Sequence, residues 1–308
     1  MRAVVTRGLR GPELIETEAP QAGPGQIRIR VTAAAVNPVD LATATGGLTR
    51  AGMIAERPVL GLGWDVAGVV EEAAPGTGFA AGERVIGLRD RLDVALGTHA
   101  DHVVLDASAV ARTPAAVTDA DAATLPLNGL TATQALDALD LPAGSTLLVT
   151  GSAGGVGGFA VGLAARRGLR VIGLADASEE EQVRALGASE FLARGEERLG
   201  EAARAVVPGG VDGVLDAAAI GTAAVEALRN RGAFASVSGA STPRALRGTR
   251  VEQVWISADG PALTRLAALM DSGALPARVA RTVPLADAAA AYELSGTRGL
   301  RGRIVLIP

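Results

Sequence analysis

Several reactive residue types are missing from this chain, which narrows the chemistry open to it. There is no cysteine, every one of the 29 basic residues is arginine, and the imidazoles are limited to His99 and His102. Thiolate nucleophiles, disulfides, cysteine-held zinc, lysine Schiff bases and phosphate-loop lysines are thereby excluded, as is the Tyr-x-x-x-Lys pair of short-chain dehydrogenases. The single tyrosine, Tyr292, lies in the alanine-rich run ADAAAAYELS, where helical spacing makes it a packing residue rather than a proton donor. What remains is a glycine turn. Residues 146–168 read TLLVTGSAGGVGGFAVGLAARRG: an apolar strand enters a small-residue turn that opens a helix at Val156. Gly154 lets the backbone approach a pyrophosphate and Gly157 lets the helix pack closely on the strand, while the free N–H groups of Gly155, Val156 and Gly157 offer donors at the helix start. Ser152 stands where the first glycine of GxGxxG would be, so the turn leans on Gly151 and Ala153 for small side chains. The stretch 152–158 thus reads as the binding turn of a nicotinamide dinucleotide.

A second strand ends about 20 residues on, at Ala175-Asp176-Ala177-Ser178-Glu179. Asp176 there can accept the ribose hydroxyls of NAD, whereas the 2′-phosphate of NADP calls for arginine, and Arg170 and Arg194, at opposite ends of neighbouring strands or loops, are the basic candidates. Asp176 can equally be a helix cap, with 179–181 on the helix dipole.

These residues need elements to hold them. Residues 1–118 are punctuated by Gly and Pro every eight to twelve residues, with β-branched runs at 26–32, 67–71 and 83–86, which suggests an all-β, barrel-like unit. From Gly144 the pattern alternates, with strands expected at 146–151, 170–175, 190–193, 213–218 and 233–239. Helices are expected at 156–167, 179–186, 197–206 and 222–229, which makes a doubly wound parallel sheet. Strand-like pieces at 278–283 and 303–307 flank one further helix, and this tail is expected to rejoin the first domain.

Net charge is −4, with 33 acidic residues and no block of like charge, which argues against nucleic acid or a membrane surface as a partner. No stretch has the length and apolarity of a membrane span, and Arg7, Arg10 and Glu13 interrupt the start where a signal peptide would keep its apolar core. A cytoplasmic protein acting on a small-molecule substrate is expected.

Five stretches carry a resemblance: AAAVNPVDLATATG (33–46), GWDVAGVVEEAAPGTGFAAGERVIG (63–87), LPLNGLTATQAL (125–136), GSAGGVGGFAVGLAARRG (151–168) and RGRIVLIP (301–308). In this order they resemble the medium-chain dehydrogenase/reductase superfamily, in its zinc-independent quinone oxidoreductase (zeta-crystallin-like) branch. The resemblance implies an α/β fold, with a GroES-like β-barrel domain from residues 1–118 and 270–308 and an inserted, doubly wound Rossmann domain at 119–269. It implies NAD(P)H-dependent reduction of a quinone or an α,β-unsaturated carbonyl by hydride transfer. A biosynthetic enoyl reductase and a non-catalytic dinucleotide-binding protein are the alternatives. Carried over with it are Asn37 near the nicotinamide ribose, Thr131 on the phosphates, Ser152 to Gly157 at the pyrophosphate, and Ala218, Ser238 and Gly239 along the cofactor. Asn37 and Thr131 are the candidate catalytic positioning groups.

The positions that hold catalytic zinc in other members are Asn37, Trp64 and about Leu127 here, so no metal is expected; His99 and His102, on one predicted strand, are poor substitutes. NADPH is the implied cofactor and NADH stays open, because Asp176, Glu180 and Ala193 occupy places where NADPH-preferring members put small or basic residues. Residues 41–53 lack the tyrosines that would stack on a quinone, which favours an aliphatic enone or enal. Asp40 either orients a water or caps a turn, and Asp65 is expected to pair with Arg57. A homodimer is implied, with the apolar strand 251–256 as a candidate edge.

Overall fold

The β-branched runs of the first third become strands because their alternating side chains are buried on one side. In the computed structural model, which describes residues 1–8, 10–195, 198–297 and 299–308, the chain begins with β1 (Arg2–Arg7), β2 (Pro12–Glu16) and β3 (Gln26–Val36). Helices α1 (Pro38–Ala44) and α2 (Gly47–Arg50) follow, then β4 (Val59–Gly61), β5 (Asp65–Ala73), β6 (Arg84–Leu88), β7 (His102–Asp106) and β8 (Val110–Arg112). Helices α3 (Asp119–Ala122) and α4 (Pro126–Leu139) lead into an alternating run: β9 (Thr146–Thr150), α5 (Gly155–Arg166), β10 (Arg170–Ala175), α6 (Glu180–Ala185), β11 (Glu190–Ala193) and α7 (Leu199–Val206). The run continues with β12 (Val211–Asp216), α8 (Thr222–Val225), β13 (Leu228–Ser236) and β14 (Arg250–Gln253). Last come α9 (Gly260–Asp271), β15 (Val279–Pro284), α10 (Ala288–Ser295) and β16 (Arg303–Ile307).

Two compact units result, Met1–Leu127 with Ser257–Pro308, and Asn128–Ile256. In the first, β2-β1-β4 form a small sheet, and β15-β16-β3-β5-β6-β8 form a larger one with β7 also paired to β3. Along β3, Ile27, Ile29 and Val31 point into a core with Val66, Val85 and Val103. The tail rejoins this unit as expected, because β16 pairs antiparallel with β3 through Ile304↔Val36 and Leu306↔Ala34. The second unit is one parallel sheet ordered β11-β10-β9-β12-β13-β14. Its inner strands are buried on both faces, with five of six β10 residues covered, as a sheet flanked by helices on each side requires. The chain turns back at β9, with β10 on one side and β12 on the other, so loops after these strands meet at the switch point where such sheets bind ligands.

The division between units falls at 127/128 and 256/257 rather than at 118/119 and 269/270. Asp119, in α3, accepts from Thr32 Oγ1 at 2.7 Å and from Arg84 Nη2 at 2.5 Å, which ties that helix to β3 and β6. Helix α9 packs on β8, and the Asp271 carboxylate at its end accepts from the Ala116 N–H at 2.7 Å. The expected helix 222–229 stops at Val225, because Leu228 already pairs with Val211 at the start of β13. Of the expected helix 197–206, Glu197 lies outside the described residues, and the helix runs Leu199–Val206. Among the described residues no helix is long and apolar enough to cross a membrane.

The seat of α9 is testable. A Cβ on Gly260 would lie 2.7 Å from both Ser108 O and Val110 O. Gly260→Ala is therefore expected to push α9 off β8 and cost about 1–3 kcal/mol, read as a lower denaturant midpoint. An unchanged midpoint would refute this account of the packing.

Candidate active site

In the first unit, β3 runs out at Val36 and Pro38 opens α1, which leaves Asn37 at the corner. Asn37 and Asp65 are fully buried. Asn37 Nδ2 donates to Asp65 Oδ2 at 2.7 Å, and the Leu127 N–H donates to Asp65 Oδ1 at 2.6 Å. The Asp40 carboxylate, equally buried, accepts from the N–H groups of Asn37 at 2.8 Å and Gly63 at 3.0 Å. Two of the three positions that hold zinc in other members of the superfamily the chain resembles thus converge on one carboxylate. Zinc does not fit them, because an amide already committed to Asp65, the buried indole of Trp64 and an aliphatic side chain supply no ligand set. Among the described residues no group of three or more His, Cys, Asp or Glu side chains could hold a metal ion.

Asp65 does not pair with Arg57 as expected. Arg57 is exposed and bonds Asp93 at 2.7 Å, while Asp65 lies inside, where the amide donors replace its hydration. Asp40 is more than a turn residue, since it fastens both the start of α1 and the backbone at Gly63. Burial pushes both carboxylates up to about 7, only partly offset by their hydrogen bonds and by the charge of buried Arg303, and Asp40 further raises Asp65.

The histidines do not share a strand. His102 begins β7 and lies 3.2 Å from Glu71, whereas His99 precedes the strand and is fully buried. His99 Nε2 is 3.1 Å from Ala35 O and Nδ1 is 2.9 Å from the Tyr292 hydroxyl. A carbonyl can only accept, so Nε2 carries the proton and Nδ1 accepts from Tyr292. Burial lowers the His99 pKa to about 4. Tyr292 sits in the apolar cluster under α10, in the packing position its sequence context suggested.

In the second unit, the glycine turn has the shape a diphosphate needs. Gly151 has φ 61° and Gly154 is the N-cap of α5 with no side chain capping it. The N–H groups of the first helical turn, Gly155, Val156 and Gly157, therefore lack intrahelical acceptors and stand at the positive end of a 12-residue helix. A Cβ on Gly157 would lie 2.1 Å from Gly151 O, so the helix can start this close to the strand only with glycine there. These features fit a dinucleotide pyrophosphate. Ser152 is different: it is fully buried, its N–H donates to Leu174 O at 3.1 Å, and Gly173 of β10 faces its hydroxyl. It supports the turn from beneath. Ala153 is also buried.

Asp216 is the residue that sequence reasoning missed. It ends β12, fully buried, and accepts from Thr150 Oγ1 at 2.6 Å, Gly221 N–H at 2.7 Å and Ile220 N–H at 3.2 Å. Thr150 Oγ1 in turn accepts from Ala218 N–H at 3.0 Å. This carboxylate holds the loop 217–221, including Ala219 at φ 56°, against the glycine turn, where a Cβ on Gly151 would touch Ala218 at 3.3 Å. The available signal was an acidic residue closing the apolar strand GVLD.

The other cofactor candidates lie on the same unit. Asp176 follows β10 and caps the next turn, accepting from Ser178 N–H at 3.1 Å and Ser178 Oγ at 2.9 Å, and it also meets Arg194 at 3.4 Å. The Ser178 bonds, before the Arg194 charge, lower its pKa. Thr131 is buried within α4. Ser238 and Gly239 follow β13, with Ser238 O accepting from Ser241 Oγ at 3.2 Å and Thr242 Oγ1 at 3.0 Å.

The buried groups of the first unit make opposing contributions to stability as pH changes. His99 binds its proton later in the fold than in the unfolded chain, so stability is lost as pH falls from 6.5 to about 4. Asp65 binds its proton earlier in the fold, so stability is gained as pH falls from about 7 to 3.8. Asp65→Asn removes that gain, and its stability relative to the parent should fall on acidification by up to about 1.4 kcal/mol per pH unit. Parallel urea-unfolding profiles for parent and variant across this window would overturn the assignment.

Residues 23–115 match the family model for the alcohol dehydrogenase GroES-like domain, and residues 186–306 match that for zinc-binding dehydrogenase. The chain is similar to the 2-haloacrylate reductase of a Burkholderia species, at 31% identity over 95% of this chain and 94% of that one. It is 34% identical, over 94% of its length, to the spectinabilin polyketide synthase system protein NorB of Streptomyces orinoci. The chain spans only 13% of that synthase, and 4% of the pikromycin synthase component PikAII of Streptomyces venezuelae. Among solved structures, the quinone oxidoreductase from Coxiella burnetii superposes with a TM-score of 0.86 at 26% identity, covering 100% of this chain and 99% of that one. Mycobacterial Rv1454c complexed with NADPH gives 0.82 at 28% identity, with both chains fully covered. Two domain matches, a near-complete relative and the strand order of both units agree: this chain belongs to the medium-chain dehydrogenase/reductase superfamily, in its zeta-crystallin-like quinone oxidoreductase branch.

Proposed function

We propose that the protein is an NADPH-dependent reductase of a small α,β-unsaturated carbonyl or quinone, with aliphatic enals and enones favoured. The observation that carries this reading is the uncapped start of α5 above the Gly151 turn, a set of amide donors matched to a dinucleotide diphosphate. The dinucleotide, when bound, supplies the hydride. The residues hold and orient: Gly155, Val156 and Gly157 take the diphosphate oxygens, Thr131 takes a phosphate, and Ala218, Ser238 and Gly239 border the cofactor. Asn37 is the positioning group toward the nicotinamide ribose, its amide fixed by Asp65 at 2.7 Å. With no titratable side chain assigned to the reacting carbonyl, the enolate left by hydride addition to the β-carbon takes its proton from water. Geometry then has to supply most of the acceleration.

Cofactor choice centres on the end of β10. Asp176 disfavours a 2′-phosphate, and Arg194, exposed beside it, offers the opposing charge. The NADPH complex of the similar mycobacterial protein supports NADPH, with NADH as the competitor. A biosynthetic enoyl reductase is the second reading, favoured by the match to a polyketide synthase along 94% of this chain. We place the protein in the cytoplasm and infer a homodimer through β14, one of the two edge strands of the six-stranded sheet, beside half-exposed Trp255.

The test is NADPH and NADH oxidation followed by absorbance with a panel of enals, enones and quinones. Turnover with an enal or enone is expected, with Arg194→Ala raising the NADPH KM about tenfold and leaving that of NADH unchanged. Tight dinucleotide binding without oxidation by any acceptor would make the protein a non-catalytic binder and sink the proposal.

A further inference from the structure

The second unit has another polar hollow, at the end of the sheet where β12 and β13 begin. The dinucleotide loops follow the opposite ends of the strands. The hollow has a volume of about 430 Å³ and is lined by Arg204, Gly209, Leu228, Arg229, Asn230 and Arg247. Three guanidinium groups thus line one concavity in a chain whose net charge is −4.

Main-chain carbonyls hold two of them. Arg204 Nη1 donates to Gly200 O at 2.8 Å and Nη2 to Glu226 O at 2.5 Å. Arg247 Nη2 donates to Val225 O at 2.9 Å and Leu228 O at 3.2 Å. Among the described residues, neither has a carboxylate within ion-pair distance. Arg229 alone is paired, with Asp212 at 2.6 Å, and that carboxylate also accepts from Thr146 N–H at 2.7 Å and Thr146 Oγ1 at 2.8 Å. Carbonyl bonds fix the orientation of a guanidinium without neutralising it. Each guanidinium also keeps N–H donors beyond those it uses, in a fork suited to phosphoryl oxygens.

We propose that this hollow binds a phosphate dianion, free or as an organic monoester. Arg229 and Asn230 meet the anion from the start of β13, and Arg204 and Arg247 meet it from the sides. Binding there also bears on the glycine turn. Of the carbonyls gripped by Arg204 and Arg247, those of Val225 and Glu226 lie at and just after the end of α8, a helix of four residues, and α8 begins directly after the loop that Asp216 holds against Gly151. A ligand that tightens the arginines restrains that loop, and linkage then requires dinucleotide and anion to alter each other's affinity reciprocally.

The test is isothermal titration of the full chain with inorganic phosphate, pyrophosphate and glycerol 3-phosphate, at ionic strength held constant with chloride. Arg229→Gln and Arg229→Glu leave both carbonyl-held arginines in place, and thermal melts confirm that each variant is folded. Saturable binding is expected, weakened about tenfold by Arg229→Gln and further by Arg229→Glu. Tighter binding of the monoester would identify an organic phosphate as the source, and tighter binding of inorganic phosphate the free ion; either upholds the site. Affinities unchanged in both variants, no saturable heat, or complete displacement of pyrophosphate by NADPH would overturn it, the last by placing the anion at the glycine turn.

Discussion

The dinucleotide side of this protein depends on how closely α5 approaches the end of β9. With Gly157 against the Gly151 carbonyl, no side chain separates helix from strand, and the first helical amides reach the top of the sheet instead of standing a residue's width above it. Everything nearby is arranged around that contact. Ser152 fills the space beneath, Gly173 on the neighbouring strand gives it room, and the Asp216–Thr150 pair fixes the next loop at the height the turn requires. Moving the helix out by one methyl would separate the donors from the loop that completes their surroundings.

The first unit meets a different constraint, the burial of charge. Asp40 and Asp65 are removed from water, and each is tolerated because backbone and amide donors surround it and Arg303 opposes its charge. Where metal-bearing relatives in the superfamily place ligands, this chain has a hydrogen-bonded network of amide, carboxylate and backbone. The network orders the corner between β3 and α1 and holds Asn37 in one orientation, the service a metal centre would give to its ligands.

Much of this architecture was legible in the sequence. The bounds of β10, β11 and β16 coincide with apolar runs, most plainly in β10, where a strand buried at five of six residues writes itself as the uninterrupted run VIGLA. The glycine turn was legible because its requirements are local, each glycine being needed within a few residues of its effect. The fate of Asp65 was not. Its partners lie 28 and 62 residues away, and a salt bridge to Arg57 was the nearer and plainer guess. Helix α8 was overextended for a related reason: EALRNR carries helical propensity, yet pairing with β12 draws Leu228 into the sheet. The division between units also depended on distant contacts, Asp119 with β3 and α9 with β8, that no composition shift marks.

The distribution of nucleophiles has a chemical consequence under the proposed function, in which the substrates include enals. Such compounds alkylate proteins at thiols and at lysine amines, by conjugate addition and imine formation. This chain has neither thiol nor lysine amine to offer, and of its two imidazoles His99 is sealed in the core with both ring nitrogens engaged. Only the half-buried His102, held near Glu71, approaches solvent. A polypeptide so composed can dwell among reactive electrophiles with few side chains open to covalent damage.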